Sequence, residues 1–163
     1  MLIRTSVRLV PLFNPVDIAE NVVTLDHITH GRLVLGMSIG YREQELQVAG
    51  LRRKDRVPKL EESVELMKQL WCGQEVTFDG KYTKVVKGRM GFTPYQRPHP
   101  LLEMGAQSEG ATKRAARIAD GVFFGPQTTW TEVGRLAELY RATRQELGKA
   151  VGMLGASRSL MVA

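Results

Sequence analysis

The chain has 163 residues, of which 43% are hydrophobic and 25% are charged, and its formal net charge is +6. These values are typical of a globular protein, and the length suffices for one domain with a core. No apolar run approaches the ~20 residues of a membrane helix. Arg4 and Arg8 interrupt the apolar N-terminus, so neither a membrane partner nor a signal peptide is expected. Cys72 is the single cysteine, which excludes an internal disulfide and predicts a cytoplasmic protein.

The positive charge raises the question of a nucleic-acid partner. The densest basic cluster, Arg52-Arg53-Lys54-Asp55-Arg56, lies in a predicted loop. No aromatic residues alternate with the basic ones, as a stacking platform for bases requires. A solvated surface is therefore favoured, and no nucleic-acid partner is expected. The three histidines are scattered, so no metal site is predicted.

The first part of the chain predicts two strands and two helices. Ile3 to Val10 is predicted as a strand. Asn14-Pro15 predicts a helix start, because asparagine caps helices and proline suits the first helical position. That helix is expected to end near His30-Gly31. A short strand over Leu33 to Met37 and a short helix over Arg42 to Val48 follow.

The middle of the chain predicts a long helix and a hairpin. Apolar residues at helical spacing define the helix: Leu60, Val64, Met67 and Trp71. Glu75 to Val86 departs from the strand and helix alternation, and Asp79-Gly80 is typical of a two-residue hairpin turn. We interpret this segment as an excursion outside the main sheet.

The segment Leu101 to Phe124 predicts one complete strand-helix-strand unit. An apolar strand ends in small residues, Ser108 is placed to cap the following helix, and Asp120-Gly121 ends that helix before a second strand. The first turn of such a helix leaves free backbone N–H groups, to which phosphate binds readily.

A further helix and strand are predicted after this unit. Thr129 and Glu132 form a capping box for the helix. A glycine-rich loop containing Gly148, Gly152 and Gly155 then leads to a predicted strand at Ser159 to Val162. Short apolar strands that alternate with amphipathic helices indicate a parallel sheet covered by helices, either an open doubly wound sheet or a (β/α)8 barrel.

Five segments, taken together, resemble one protein family. They are PLFNPVDIAENVVTLDHI (11–28), GRLVLGMSIGYREQEL (31–46), LEESVELMKQLWCGQEVTFDGKYT (60–83), QRPHP (96–100) and the unit at 101–124. In order and spacing they are similar to the bacterial luciferase-like monooxygenases, which are flavin- or deazaflavin-dependent oxidoreductases built on a TIM barrel.

The resemblance implies an α/β fold, a partial TIM (β/α)8 barrel with parallel strands and a β-hairpin excursion. Residues 1–163 would form a single incomplete barrel domain, from about the third strand to the seventh. A whole barrel takes about 250 residues or more. Family members place a histidine near the flavin on the first strands, which have no counterpart here, so no catalytic residue is assigned.

The activity implied by the resemblance is that of a flavin-dependent oxidoreductase or monooxygenase that uses FMN, dioxygen and an organic substrate. A separate flavin reductase is a candidate partner. One alternative is a deazaflavin-dependent hydride-transfer enzyme that uses an 8-hydroxy-5-deazaflavin coenzyme. Another is a non-catalytic barrel remnant. Open sheet edges favour pairing with another chain, so a homo-oligomer is expected.

The resemblance also implies a set of cofactor-facing residues. At Ser6-Val7 two interpretations are open, a non-prolyl cis peptide against the flavin ring or an ordinary strand step. Ile39 stands where some members carry an arginine, and Lys59 stands where some carry an arginine that binds phosphate; a solvated lysine is the alternative. Ser108 would bind phosphate while it caps its helix, or would only cap. The full set is Ser6, Val7, Ser38, Ile39, Gly40, Tyr41, Lys59, Gly105, Ala106, Gln107 and Ser108.

Other polar residues are expected to have structural roles, among them His27, His30 and His99. Glu43 and Glu45 follow a predicted strand end, where a solvated helix and a substrate site are equally open interpretations. Cys72 has no histidine partner in the sequence, so no nucleophile is predicted.

Overall fold

The computed structural model describes residues 1–158. They form two compact units, Met1–Pro100 and a second unit that begins at Leu101. The single domain expected over the whole chain stays a prediction, and the strand predicted at Ser159 to Val162 lies outside the described residues. Within the described part of the chain, no helix has the length and apolar character needed to cross a membrane.

Three parallel strands organise the first unit. β1 (Ile3–Arg4) and β2 (Arg8–Leu9) both pair with β3 (Leu33–Ser38). The expected continuous strand from Ile3 to Val10 is therefore wrong. The chain leaves the ladder between β1 and β2, and it turns into a 3-10 helix at Val10–Leu12, where Pro11 has no N–H with which to continue a sheet.

Three helices of the first unit form where the sequence predicts them. α1 (Pro15–Ile28) begins at Asn14, whose side chain accepts the N–H of Val16. α2 (Glu43–Val48) is short, and α3 (Arg56–Trp71) packs against α1. The buried Trp71 joins the two long helices because its indole N–H donates to the carbonyl of Ala19 at 3.2 Å.

The hairpin is present but is wider than predicted. β4 (Val76–Asp79) and β5 (Lys84–Gly88) are antiparallel and leave a four-residue loop rather than the two-residue turn. The physical reason lies outside the hairpin. The Glu62 carboxylate on α3 accepts the backbone N–H groups of all three residues that follow Gly80, at 2.8 to 3.2 Å. This external partner holds the loop open.

The second unit is a three-stranded parallel sheet with two helices. β6 (Leu101–Ala106), α4 (Glu109–Ile118), β7 (Gly121–Phe124), α5 (Trp130–Glu146) and β8 (Met153–Ala156) follow in order. β7 pairs with both β6 and β8, and α4 packs against α5.

One sequence interpretation in the second unit needs correction. The predicted glycine-rich loop ends earlier than expected, because Gly155 lies in β8 opposite Phe123. Gly148 and Gly152 do form the loop, with φ angles of 64° and 70°. Such angles suit glycine, which has no Cβ. The α/β fold class, with parallel strands, covering helices and one antiparallel hairpin, is confirmed.

Candidate functional site

The candidate site residues of the first unit lie along β3 and at its carboxyl end. Ser38 ends this strand opposite Leu9 of β2. Ser6 and Val7 precede β2, so in the parallel register they lie beside the middle of β3 rather than at its carboxyl end. The peptide bond between Ser6 and Val7 is cis, which is one of the two interpretations left open, and the interpretation as an ordinary strand step is wrong.

Two arginines of the basic cluster hold the loop that follows β3. Arg56 donates from Nη1 to the carbonyl oxygen of Gly40 at 2.8 Å, and Arg53 donates from Nη1 to that of Tyr41 at 3.3 Å. Gly40 has a φ of 76°, which explains a glycine here. The basic cluster was expected to be solvated surface, and these two carbonyl contacts were not predicted. The signal available in the sequence was the three-residue spacing of Arg53 and Arg56, just ahead of the helix predicted from Leu60.

Lys59 lies on α3, one helical turn after Arg56, and is half-buried. Its backbone carbonyl accepts the hydroxyl of Ser63 at 2.7 Å. Among residues 1–158, no carboxylate pairs with its ammonium group. A positive charge is therefore available near the start of α3. Ile39, which stands where some members have an arginine, is also half-buried.

The second unit has a candidate site of its own, at the carboxyl end of β6. Gly105 and Ala106 pair with the last residues of β7, and the chain then enters α4 through Ser108. The Ser108 hydroxyl oxygen accepts the N–H of Ala111 at 3.3 Å, which confirms the predicted cap. A Cβ at Gly110 would meet no atom within 4 Å, so the first turn of α4 borders open space.

Charge at the start of α4 is balanced by one arginine of α5. Arg135 binds Glu109 at 2.5 Å through Nη1 and Glu132 at 2.7 Å through Nη2. The paired guanidinium lowers the pKa of Glu132, and the two carboxylates raise the pKa of Arg135. Because Arg135 neutralises the carboxylate nearest to Ser108, an anion at this helix start meets less repulsion.

The loop after β7 borders the same edge of the second unit. The Gln107 amide nitrogen lies 3.4 Å from Oε1 of Gln127. A Cβ built at Gly125 would lie 3.0 Å from the same Gln107 nitrogen. Arg158, which follows β8, donates to the carbonyl of Thr128 at 2.7 Å and covers the Trp130 ring at 4.0 Å. Arg158 was not among the predicted site residues, because the strand that precedes it was expected later in the chain, at Ser159 to Val162.

Most other polar candidates have structural contacts. The buried Asp26 carboxylate accepts both the backbone N–H and the side-chain amide of Gln96, at 2.8 and 2.7 Å. A ring nitrogen of His27 lies 2.8 Å from the Thr93 carbonyl. The Cys72 thiol donates to the carbonyl of Lys68. In the part of the chain that the structure describes, no three His, Cys, Asp or Glu side chains group as metal ligands.

Comparisons with known proteins show the family to which this chain is related. A family model described as luciferase-like monooxygenase matches residues 1–162. An F420-dependent glucose-6-phosphate dehydrogenase of Nakamurella multipartita is 37% identical over 135 residues, which cover 80% of this chain and 37% of that protein. The chain therefore spans well under half the length of this curated relative.

Solved structures agree on the fold. An F420-dependent secondary alcohol dehydrogenase, in complex with an F420–acetone adduct, matches with a TM-score of 0.84 at 20% identity, over 96% of this chain and 48% of that one. The oxygenating constituent of 3,6-diketocamphane monooxygenase from Pseudomonas putida, in complex with FMN, matches with a TM-score of 0.81 at 19% identity. This match covers 92% of this chain and 45% of that one. These likenesses confirm the expected fold class, part of a TIM barrel.

Proposed function

The chain belongs to the luciferase-like monooxygenase family, and we propose that it anchors the phosphate of a deazaflavin coenzyme in a hydride-transfer oxidoreductase. The observation that carries this proposal is the arrangement at Ser108. A capped helix start follows a parallel strand at its carboxyl end, which is where ligands of barrel enzymes gather.

The groups at the start of α4 suit a phosphate. Ser108 uses its hydroxyl oxygen as an acceptor, and among residues 1–158 its hydroxyl hydrogen has no acceptor. The backbone N–H groups of Glu109 and Gly110 likewise have no partner within that range. Together these provide three donors for phosphate oxygens, and charge-assisted hydrogen bonds of this kind are strong. Gly105 and Ala106 keep the strand end free of large side chains.

Each coenzyme is supported by a different relative. The deazaflavin is favoured by the 37% identical relative, whose name is that of an F420-dependent dehydrogenase. The second candidate is a monooxygenase that uses FMN, dioxygen and a separate flavin reductase. This is the activity that the sequence resemblance put first, and an FMN-bound structure with the same fold supports it. When bound, the deazaflavin supplies hydride transfer with an organic substrate. A homo-oligomer in the cytoplasm is part of the proposal.

Fluorescence titration of the whole chain with the deazaflavin coenzyme and with FMN tests the assignment. We expect the deazaflavin to bind more tightly. Ser108→Ala should weaken binding about tenfold or more, the value of a lost hydrogen bond to a charged group.

Thr129→Ala is the matched control, because Thr129 caps α5 with the same 3.3 Å distance as Ser108 caps α4. Both variants lose a helix cap, but only Ser108→Ala should lose coenzyme affinity. Wild-type affinity in Ser108→Ala would remove the phosphate assignment. A chain that binds neither coenzyme would instead support the non-catalytic remnant.

A further inference from the structure

The indole ring of Trp130 is exposed at the start of α5. Trp130 is the first residue of this helix and is 67% exposed, whereas Trp71 in the first unit is 1% exposed. A single exposed apolar side chain is common on protein surfaces and by itself indicates no site. The arrangement of groups behind this ring is what distinguishes it.

Arg158 covers one face of the Trp130 ring. The guanidinium carbon lies 4.0 Å from the ring centre. Nη1 of Arg158 donates to the carbonyl oxygens of Gly125 at 3.4 Å and Ser157 at 2.7 Å, and Nη2 donates to that of Thr128 at 2.7 Å. Because three carbonyl groups fix the planar guanidinium, the ring stacked on it is held in one orientation. A ligand that stacks on a ring already held in place loses less conformational freedom on binding.

The ring lies beside the carboxyl ends of two parallel strands. Gly125 directly follows β7 and Ser157 directly follows β8, and Arg158 contacts the carbonyl oxygens of both. Ligands of parallel α/β folds bind at this end of the strands. Ser108 follows β6, which is the neighbour of β7 in the sheet. The uncovered face of the ring therefore belongs to the same edge of the second unit as the proposed phosphate site.

The charge behind the ring limits which ligands suit its uncovered face. The three hydrogen bonds of Arg158 go to carbonyl oxygens, and within the described part of the chain no carboxylate pairs with it. The guanidinium draws the π electrons of the indole toward the covered face. A cationic ligand on the other face would gain little from the ring and would be repelled by the guanidinium. An uncharged aromatic ring can stack there with a lateral offset.

We infer that Trp130 and Arg158, here named the stacking platform, bind a flat and uncharged aromatic part of the organic substrate. The assignment to the substrate rests on the proposed function, because hydride transfer requires an organic substrate beside the coenzyme. The affinity of the platform for aromatic compounds does not depend on which coenzyme the chain binds. The inference names a substrate class, compounds that carry an aromatic ring and no positive charge.

Proton–nitrogen NMR spectra of the whole chain test the inference, because the chain has two tryptophans and each gives its own indole N–H signal. The probes are acetophenone, which is flat and uncharged, cyclohexyl methyl ketone, its saturated counterpart, and the cation phenyltrimethylammonium. We expect acetophenone to shift the Trp130 signal and to leave that of the buried Trp71 unchanged. The saturated ketone and the cation should bind about two- to tenfold more weakly, the value of one aromatic pair.

Three variants and one control identify the groups that bind the probe. Trp130→Leu should weaken acetophenone binding about two- to tenfold, as followed by the amide signals of Gly125 and Thr128, and Trp130→Phe should restore part of the loss. Arg158→Gln should narrow the difference between acetophenone and the cation. Phe92→Leu is the control, since Phe92 is a 52% exposed aromatic residue of the first unit, and it should change nothing. Circular dichroism checks that each variant is folded.

The outcomes distinguish this inference from the proposed function. Equal affinity for acetophenone and cyclohexyl methyl ketone would overturn the inference, as would an unshifted Trp130 signal or unchanged acetophenone binding in Trp130→Leu. A loss of deazaflavin affinity in Trp130→Leu as large as that in Ser108→Ala would assign the ring to the coenzyme, which overturns the inference and leaves the proposed function intact. A chain that binds acetophenone at Trp130 but no deazaflavin would support the stacking platform and contradict the proposed function.

Discussion

Gly36, in the middle of β3, lies directly against the backbone carbonyl of Thr5. The Thr5 hydroxyl donates to the Gly36 carbonyl at 2.9 Å, and a Cβ built at position 36 would collide with the Thr5 carbonyl oxygen and approach the Arg4 side chain. This contact holds the segment between β1 and β2 against β3. The absence of a side chain at residue 36 therefore sets how closely the segment that leads to the Ser6-Val7 peptide approaches β3.

Gly36→Ala should lower the free energy of unfolding by about 1 to 3 kcal/mol, because backbone must move to admit the methyl group. Urea denaturation measures the change. Gly134→Ala is the control, since Gly134 lies in α5 with no atom within 4 Å of a Cβ. Removing a glycine from an exposed helix interior should raise stability by roughly 0.5 to 1 kcal/mol. Equal effects of the two substitutions would contradict the close contact with Thr5.

Glu62→Gln should loosen the tip of the hairpin. The carboxylate accepts the N–H groups of Lys81, Tyr82 and Thr83, and an amide has one oxygen and two donors of its own. Hydrogen exchange at residues 81–83 should become faster, while exchange in α1 stays unchanged. Glu65→Gln, which alters an exposed carboxylate on the same helix, is the control. Unchanged protection at the tip in Glu62→Gln would show that other contacts hold the loop.

The stability contribution of Asp55 should disappear in acid. The hydrogen bond from Arg52, followed by that from Tyr82, lowers the pKa of the Asp55 carboxyl below its ordinary value, although burial opposes the shift. A carboxyl whose pKa is lower in the folded state stabilises the fold above its unfolded pKa of about 4 and loses that contribution as pH falls further. Asp55→Asn should therefore be less stable than wild type at neutral pH and should approach it below about pH 4. Urea unfolding at several pH values measures the difference, and a constant gap would contradict the assignment.

Tyr140→Phe should cost no stability. The side chain is fully buried, and its hydroxyl has no hydrogen-bond partner among the residues that the structure describes. Burial raises the pKa of this hydroxyl, so it stays protonated and carries an unsatisfied polar group. Removing it should leave the free energy of unfolding unchanged or raise it by about 1 kcal/mol. Tyr82→Phe, which loses the bond to Asp55, should be less stable than wild type. A clear loss in Tyr140→Phe would indicate a partner for the hydroxyl.

Features set by nearby residues were predictable from the sequence. The caps at Asn14, Ser108 and Thr129 form, because each involves a side chain and an N–H two or three residues away. The other half of the capping box predicted at Thr129 was wrong, since the Glu132 carboxylate accepts from Arg135 instead of the Thr129 N–H. Features set by distant residues were not. The hairpin loop is widened by Glu62, about twenty residues earlier in the chain, and the interruption between β1 and β2 depends on close packing at Gly36.

In the candidate site, too, features set by nearby residues were predictable from the sequence and features set by distant residues were not. The position of Ser108 at a strand end and helix start follows from local pattern, and the cis peptide at Ser6-Val7 was suggested by family resemblance. The roles of Arg53 and Arg56 were missed because their partners are carbonyl oxygens 12 and 16 residues away. Composition shows that a cluster is basic, but not which backbone groups it contacts. Whether the cofactor-facing residues contact a coenzyme stays a prediction.

Arg135 braces the start of α4 from the neighbouring helix. Its guanidinium bridges Glu109, in the first turn of α4, and Glu132, in the first turn of α5. The same guanidinium lowers the pKa of Glu132, so that half of the bridge keeps its charge in a mildly acidic medium. A ligand bound beside Ser108 would consequently meet a helix start whose position is fixed by α5 as well as by its own cap.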